Sequence, residues 1–244
     1  RQLKQSQISA MNTLNSSFQT QVDSAIRNLD AVSVNINYSN QSKTILDNSF
    51  NLNISSDMLS AMSDLFISLS GTELKADQVN LYDFSGYVLE AGISTIVKKT
   101  DGSKDEWIEA ARELEGKKIL TPPYCTREYT KTATYDQWFI SLYRSFNNQY
   151  KRGVGVIETA KQCKSVFKSI ITYKKKNHED AASIYVFDSN GDLIYPYDIS
   201  QEYKAALQPY YELTKGDDSA LTFISPLTGK TEYAAEAVSS YTGY

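Results

Sequence analysis

The sequence predicts an α+β chain in which one long N-terminal helix is followed by two tandem modules, each built on an antiparallel sheet. Three observations carry this. Residues 3–47 contain neither Pro nor Gly and repeat apolar side chains at helical spacing. From about residue 79 the pattern changes to short apolar segments separated by turn residues. The order hairpin, helix, further strands then occurs twice.

The helix comes first. Met11, Leu14, Phe18, Val22, Ile26, Leu29, Val32 and Ile36 recur at steps of three and four and so share one face. At ~1.5 Å per residue, about 40 residues span on the order of 60 Å, more than one compact domain is wide. The opposite face carries Ser, Asn, Gln and Thr where a coiled coil would carry paired charges, so the helix reads as a spine for sheet domains. An Asn/Ser-rich stretch at 48–57 and a second helical pattern at 58–69 follow.

Residues 79–83 and 87–91, around Phe84-Ser85-Gly86, read as a hairpin. Residues 107–114 are a short amphipathic helix stopped by Gly116. A polar loop at 121–134 opens with Pro122-Pro123; strands are expected at 137–143 and 153–158, then a helix at 159–173. The second half repeats the scheme: a hairpin at 183–188 and 193–195, a helix at 201–215, and strands at 221–224 and 231–238. Its segment IYVFDSNGDLIY parallels VNLYDFSGYVLE at 79–90. The expected divisions are 1–57 for the spine helix and linker, 58–175 for the first module and 176–244 for the second.

Composition narrows the function. The chain is 41% hydrophobic and 12% aromatic, enough for a real core. Its 25 basic and 29 acidic residues give a net charge of −4, and the longest basic run is Lys174-Lys175-Lys176, so nucleic acid is not an expected partner. No apolar run approaches the roughly 20 residues that cross a bilayer. The piece reads as a soluble, excised fragment, with any membrane anchors outside it. The single His178 sits in a polar stretch, and no phosphate loop, nucleophile elbow or metal-ligand spacing occurs. Catalytic residues, a metal and a cofactor are therefore not expected. Cys125 and Cys163 are compatible with one bridge, worth roughly 3–4 kcal/mol if unstrained, or with two buried thiols.

A binding site is signalled by composition. Trp107, Tyr124, Arg127, Tyr129, Tyr135, Trp138, Tyr143 and Arg144 fall within the window 107–144. Rings supply flat apolar surface and a few fixed polar groups orient a solute, although each ring could equally fill the core. Alternation along the strand puts Trp138, Ile140, Leu142 and Arg144 on one face and Phe139, Ser141 and Tyr143 on the other.

The order of these motifs resembles the double Cache family of PAS-like extracytoplasmic sensor domains, as carried by YesM-like sensor histidine kinases. The resemblance rests on the D-x-x-G hairpins at 83–86 and 188–191, the W-x-x-x-A helix from Trp107 to Ala111, FISLYRSF at 139–146, GVGVIE at 153–158 and the closing SSYTGY at 239–244. It implies a membrane-distal and a membrane-proximal module, flanking transmembrane helices and a homodimeric full-length receptor. The implied function is small-molecule sensing on the outside of the cell membrane, with a histidine kinase output; a chemotaxis receptor, a cyclase or a non-signalling surface module are the alternatives. It places the ligand in the distal module, within residues 79–158, with little bound in the proximal module. Inside that span the residues' own chemistry singles out Trp107, Tyr124, Arg127, Tyr129, Tyr143, Arg144 and Glu158: an Arg clamp suits a carboxylate, stacked rings suit a sugar, and the long polar loop 121–134 is expected to act as a lid. Amino-acid-binding members carry an Arg two positions before the helix Trp, an aromatic after it and an Asp ending the later strand. Asp105, Ile108 and Glu158 stand at those positions, so amino-acid specificity is not carried over.

Overall fold

The computed structural model describes residues 2–47, 56–70, 74–92, 96–126, 137–147, 153–178, 182–213 and 220–244. They fall into two compact units, residues 27–163, and residues 1–26 with 164–244. The expected long helix is α1 (Gln2–Tyr38), and it stops at Ser39 instead of running to 47. The Ser39 side chain accepts a hydrogen bond from the Ser42 amide at 3.3 Å and so starts the separate helix α2 (Asn40–Asp47). Of the predicted stripe, Phe18, Val22, Ile26, Leu29, Val32 and Ile36 are all buried.

The first unit holds the last part of α1, α2, α3 (Ser56–Ser70), α4 (Asp105–Glu113) and seven strands. These are β1 (Gln78–Asp83), β2 (Tyr87–Gly92), β3 (Ile96–Lys99), β4 (Lys118–Leu120), β5 (Tyr124–Thr126), β6 (Gln137–Asn147) and β7 (Gly153–Gln162). They form one sheet in the order β3-β2-β1-β7-β6-β4, with β5 also on β6, and every pairing is antiparallel. The predicted helix at 159–173 is corrected: strand β7 continues to Gln162, and helix begins only with α5 (Cys163–Val166) and α6 (Lys168–Asn177). Strand β7 pairs on both edges, with β1 and with β6, and this double ladder overrides the local helical pattern of residues 159–162. Gly155 is fixed by that position, because a Cβ there would lie 2.1 Å from the Tyr82 carbonyl oxygen. On one face of the sheet α4 lies over β6 and β7, with Tyr82, Val88, Ile108, Ala111, Tyr143 and Val156 in one apolar cluster. On the other, α2 lies over β7 and α1 is bonded to the sheet.

The second unit holds the first part of α1, α6, β8 (Val186–Phe187), β9 (Leu193–Tyr195), α7 (Gln201–Leu213), β10 (Ala220–Ile224) and β11 (Thr231–Ala235). One sheet was expected over 183–238; among the described residues the strands form two separate hairpins, β8–β9 and β10–β11.

The repeated D-x-x-G motif has a physical basis. Asp83 Oδ1 accepts from the amides of Ser85 and Tyr87 at 3.0 and 2.8 Å, and Gly86 takes φ 90°. Asp188 Oδ1 accepts from Asn190 and Asp192, both at 2.9 Å, and Gly191 takes φ 88°. In both, the carboxylate holds the turn amides and the glycine supplies the left-handed residue.

The bridge held open for Cys125 and Cys163 is not formed: Cys125 is exposed and Cys163 buried. Cys125 on β5 pairs with Trp138 on β6, and Cys163 follows the end of β7 on the opposite edge of β6. Two strand spacings of about 4.8 Å separate them, beyond the ~7 Å Cα limit for a disulfide.

Candidate ligand-binding site

Register decides what meets on the α4 face of the sheet. Asn80 on β1 and Tyr143 on β6 both lie opposite Glu158 on β7, and alternation adds Tyr82 and Ser141 to the same face. Tyr124 on the short strand β5 pairs with Phe139, which brings its ring beside them.

At the centre is the fully buried carboxylate of Glu158. Its Oε2 accepts hydrogen bonds from Asn80 Nδ2 at 2.8 Å and the Tyr82 hydroxyl at 2.6 Å. Its Oε1 accepts from Ser141 Oγ at 2.6 Å and the Tyr124 hydroxyl at 3.1 Å, and Lys104 Nζ stands 3.5 Å away. Burial by itself pushes this carboxyl up. The Lys104 ammonium and the hydrogen bonds from Ser141, Tyr82 and Asn80 outweigh that and hold it below the ordinary value of 4.5. The group is therefore a carboxylate near neutral pH, fully enclosed by donors.

Lys104 and Tyr124, which contact this carboxylate, also wall a cavity of about 240 Å³ together with Trp107, Thr121, Thr126 and Tyr143 among others. The Trp107 ring stacks on Tyr143 with centroids 6.3 Å apart, and Tyr143 stacks on Tyr82 at 6.4 Å. Lys104 Nζ lies 3.9 Å from the centre of the Tyr124 ring. Helix α4 positions both Lys104, the residue before its first turn, and Trp107 within that turn.

Of the residues expected at the site, Trp107, Tyr124, Tyr143 and Glu158 come together. Arg127 and Tyr129 lie outside the described residues, as does most of the proposed lid; its segment 124–126 is strand β5. Arg144 is a correction. It faces away from Tyr143, forming an ion pair with Asp30 and donating to the Gly116 carbonyl and, at 3.1 Å, to Ser33 Oγ. Arg144 is thus a tie between α1 and the sheet. Arg144→Ala is expected to destabilise this unit by about 1.5–3 kcal/mol, the range for hydrogen bonds to charged groups, and to leave the Glu158 cavity intact. Urea unfolding followed by tryptophan fluorescence measures it, since both tryptophans belong to this unit.

Lys104, Asn80, Tyr82, Ser141 and Thr121 escaped the sequence reading. A polar Asn inside the apolar strand VNLYD was the available signal for Asn80, and one turn of helix between Lys104 and Trp107 was the signal for Lys104. A larger cavity, about 460 Å³, lies in the second unit. Among the described residues no helix is long and apolar enough to cross a membrane, and no group of three or more His, Cys, Asp or Glu side chains could hold a metal ion.

No protein-family model matches the chain, and no curated protein matches it. Solved structures do. The sensory domain of the Campylobacter jejuni chemoreceptor Tlp3, with isoleucine bound, superposes with a TM-score of 0.62 at 13% identity over 96% of this chain and 89% of that one. The extracellular domain of vpHK1S-Z8, named a histidine kinase, gives 0.60 at 11% identity over 90% and 82%. The fold is that of these sensory domains. The ligand-binding domain of the Pseudomonas aeruginosa PAO1 chemoreceptor PctC, in complex with GABA, gives 0.53 at 8% identity over 79% and 77%. The likeness spans both units and includes the long N-terminal helix.

Proposed function

We propose that this chain is the extracytoplasmic ligand-sensing part of a membrane-anchored signalling receptor, and that its ligand is a small carboxylate seated above Glu158. The observation that carries the reading is the cavity of about 240 Å³ in which one cation, Lys104, stands at the rim of a saturated buried carboxylate beside the rings of Trp107, Tyr124 and Tyr143. Glu158 has spent its acceptor positions on the protein, so it orients Lys104 and Tyr124, which wall the pocket. Lys104 makes one 3.5 Å contact with that carboxylate and lies over a ring, which leaves ammonium N–H groups for a ligand anion. Such a volume lies below the ~300 Å³ where drug-sized sites begin, which suits a solute of a few carbon atoms. The shared fold with sensory domains of chemoreceptors and of a histidine kinase supports the receptor setting. Isoleucine and GABA, bound by two of those domains, are themselves small carboxylates. We read the domain as a binder with no catalytic role: His178 is exposed, and Glu158 is enclosed.

A thermal-shift screen of amino acids, simple carboxylates, amines and sugars tests this. A carboxylate is expected to raise the melting temperature. Lys104→Met and Trp107→Ala are each expected to weaken it at least about tenfold, or ~1.4 kcal/mol. An undiminished shift in both variants, with both folded, sinks the assignment.

A further inference from the structure

The cavity of about 460 Å³ in the second unit differs in charge from the Lys104 pocket. Its walls come from α1, strand β8, helix α7 and the β10–β11 hairpin. Phe18 and Val22, one helical turn apart on α1, supply an apolar side. Helix α7 adds Tyr210 and Tyr211, whose rings are held by other aromatics. The Tyr210 ring centre lies 5.1 Å from that of Tyr185 and 5.8 Å from that of Phe223, and Tyr211 lies 5.6 Å from Phe187. Both hydroxyls are bonded, Tyr210 with Ser225 Oγ at 2.8 Å and Tyr211 donating to the Ser189 carbonyl at 3.0 Å. Ring positions are therefore set by the protein, which lowers the ordering cost of closing on a solute.

The ionisable groups decide which solute. Asp23, Asp188 and Glu236 line the cavity, and among the described residues no Lys, Arg or His does. Two of these acids already hold turns. Asp23 Oδ1 accepts from Ser239 Oγ at 2.7 Å and Thr242 Oγ1 at 3.2 Å, and Asp188 Oδ1 accepts from the Asn190 and Asp192 amides. Glu236 differs: its Oε2 is buried with no hydrogen-bond partner, and burial pushes its carboxyl above the ordinary value of 4.5. An ionised carboxylate in that position is costly until a cation stands beside it. Aromatic faces attract the same sign of charge.

We infer that this cavity is a second ligand site, built for an organic monocation: a primary amine whose ammonium pairs with the Glu236 carboxylate and whose apolar body lies among Phe18, Tyr210, Tyr211 and Phe223. The inference does not depend on the carboxylate site of the first unit. A cavity of about 460 Å³ falls within the roughly 300–1,000 Å³ of small-molecule sites, so it admits a ring or a branched chain beside the ammonium. The two units then sort solutes by sign, anions at Lys104 and cations at Glu236.

The test is calorimetric titration of the chain with primary amines bearing phenyl, cyclohexyl or isobutyl bodies, each against the neutral alcohol of the same body. At least one amine is expected to bind about tenfold or more tightly than its alcohol. Glu236→Gln, nearly isosteric, is expected to abolish that preference and leave the alcohol's affinity unchanged. Emission from Trp107 and Trp138, both in the first unit, is expected to stay constant at saturating amine. A series in which no amine outbinds its alcohol overturns the inference. So does a preference that survives Glu236→Gln, or tryptophan emission that changes with amine occupancy, which would put the amine in the first unit.

Discussion

Glu158→Ala is expected to destabilise the first unit by about 3–5 kcal/mol, the cost of removing one partner of a buried ion pair. The substitution strands the Tyr82, Tyr124, Ser141 and Asn80 donors and the Lys104 ammonium around an empty space. Urea unfolding read by tryptophan fluorescence measures it, because Trp107 and Trp138 both report this unit and not the other. A loss below about 1 kcal/mol would mean that the network is a surface-like arrangement of little energy. The same carboxylate sets an acid limit. Its folded value is held below 4.5, so between the two values the unfolded chain binds the proton that the folded chain refuses. Its contribution is complete above about 4.5 and is lost as pH falls through the lower folded value. Glu158→Gln is expected to remove that part of the acid dependence, which a stability profile from pH 7 to pH 3 records.

Tyr143→Ala is expected to cost a similar ~3–5 kcal/mol, the range for truncating a fully buried aromatic. The ring is 0% exposed, lies in the apolar cluster with Ile108 and Val156, and stacks on both Tyr82 and Trp107. The cavity wall goes with it, so ligand response is expected to fall even where the variant remains folded. Trp107 fluorescence in the native baseline should shift, since its stacking partner is gone. Unchanged emission together with unchanged stability would contradict the packing described.

The long helix, the two D-x-x-G hairpins and the Trp107 helix were legible because each depends on local chemistry: helical spacing, a turn carboxylate with a left-handed glycine, an amphipathic turn. What was not legible depends on pairing. Strands β3, β4 and β5 have three or four residues each, too few to carry a period. The extension of β7 to Gln162 comes from two neighbours that lie far away in sequence. The site divides the same way. Trp107, Tyr124, Tyr143 and Glu158 were visible as aromatics and an acid in polar surroundings. Asn80 and Tyr82 become site residues only through the β1–β7 register, which no local pattern encodes. Arg144 shows the opposite error. Alternation already set it on the face away from Tyr143, and its charge made it attractive as a clamp, yet Asp30 on α1 takes it.

The central claim is that a small carboxylate binds in the first unit above Glu158. A crystal structure of the chain with the best hit from the thermal-shift screen tests it most directly. The account predicts ligand density between Lys104 Nζ and the rings of Trp107 and Tyr143, with Glu158 still enclosed by Tyr82, Ser141 and Asn80. Density confined to the cavity of the second unit, with the Lys104 pocket empty, would contradict it.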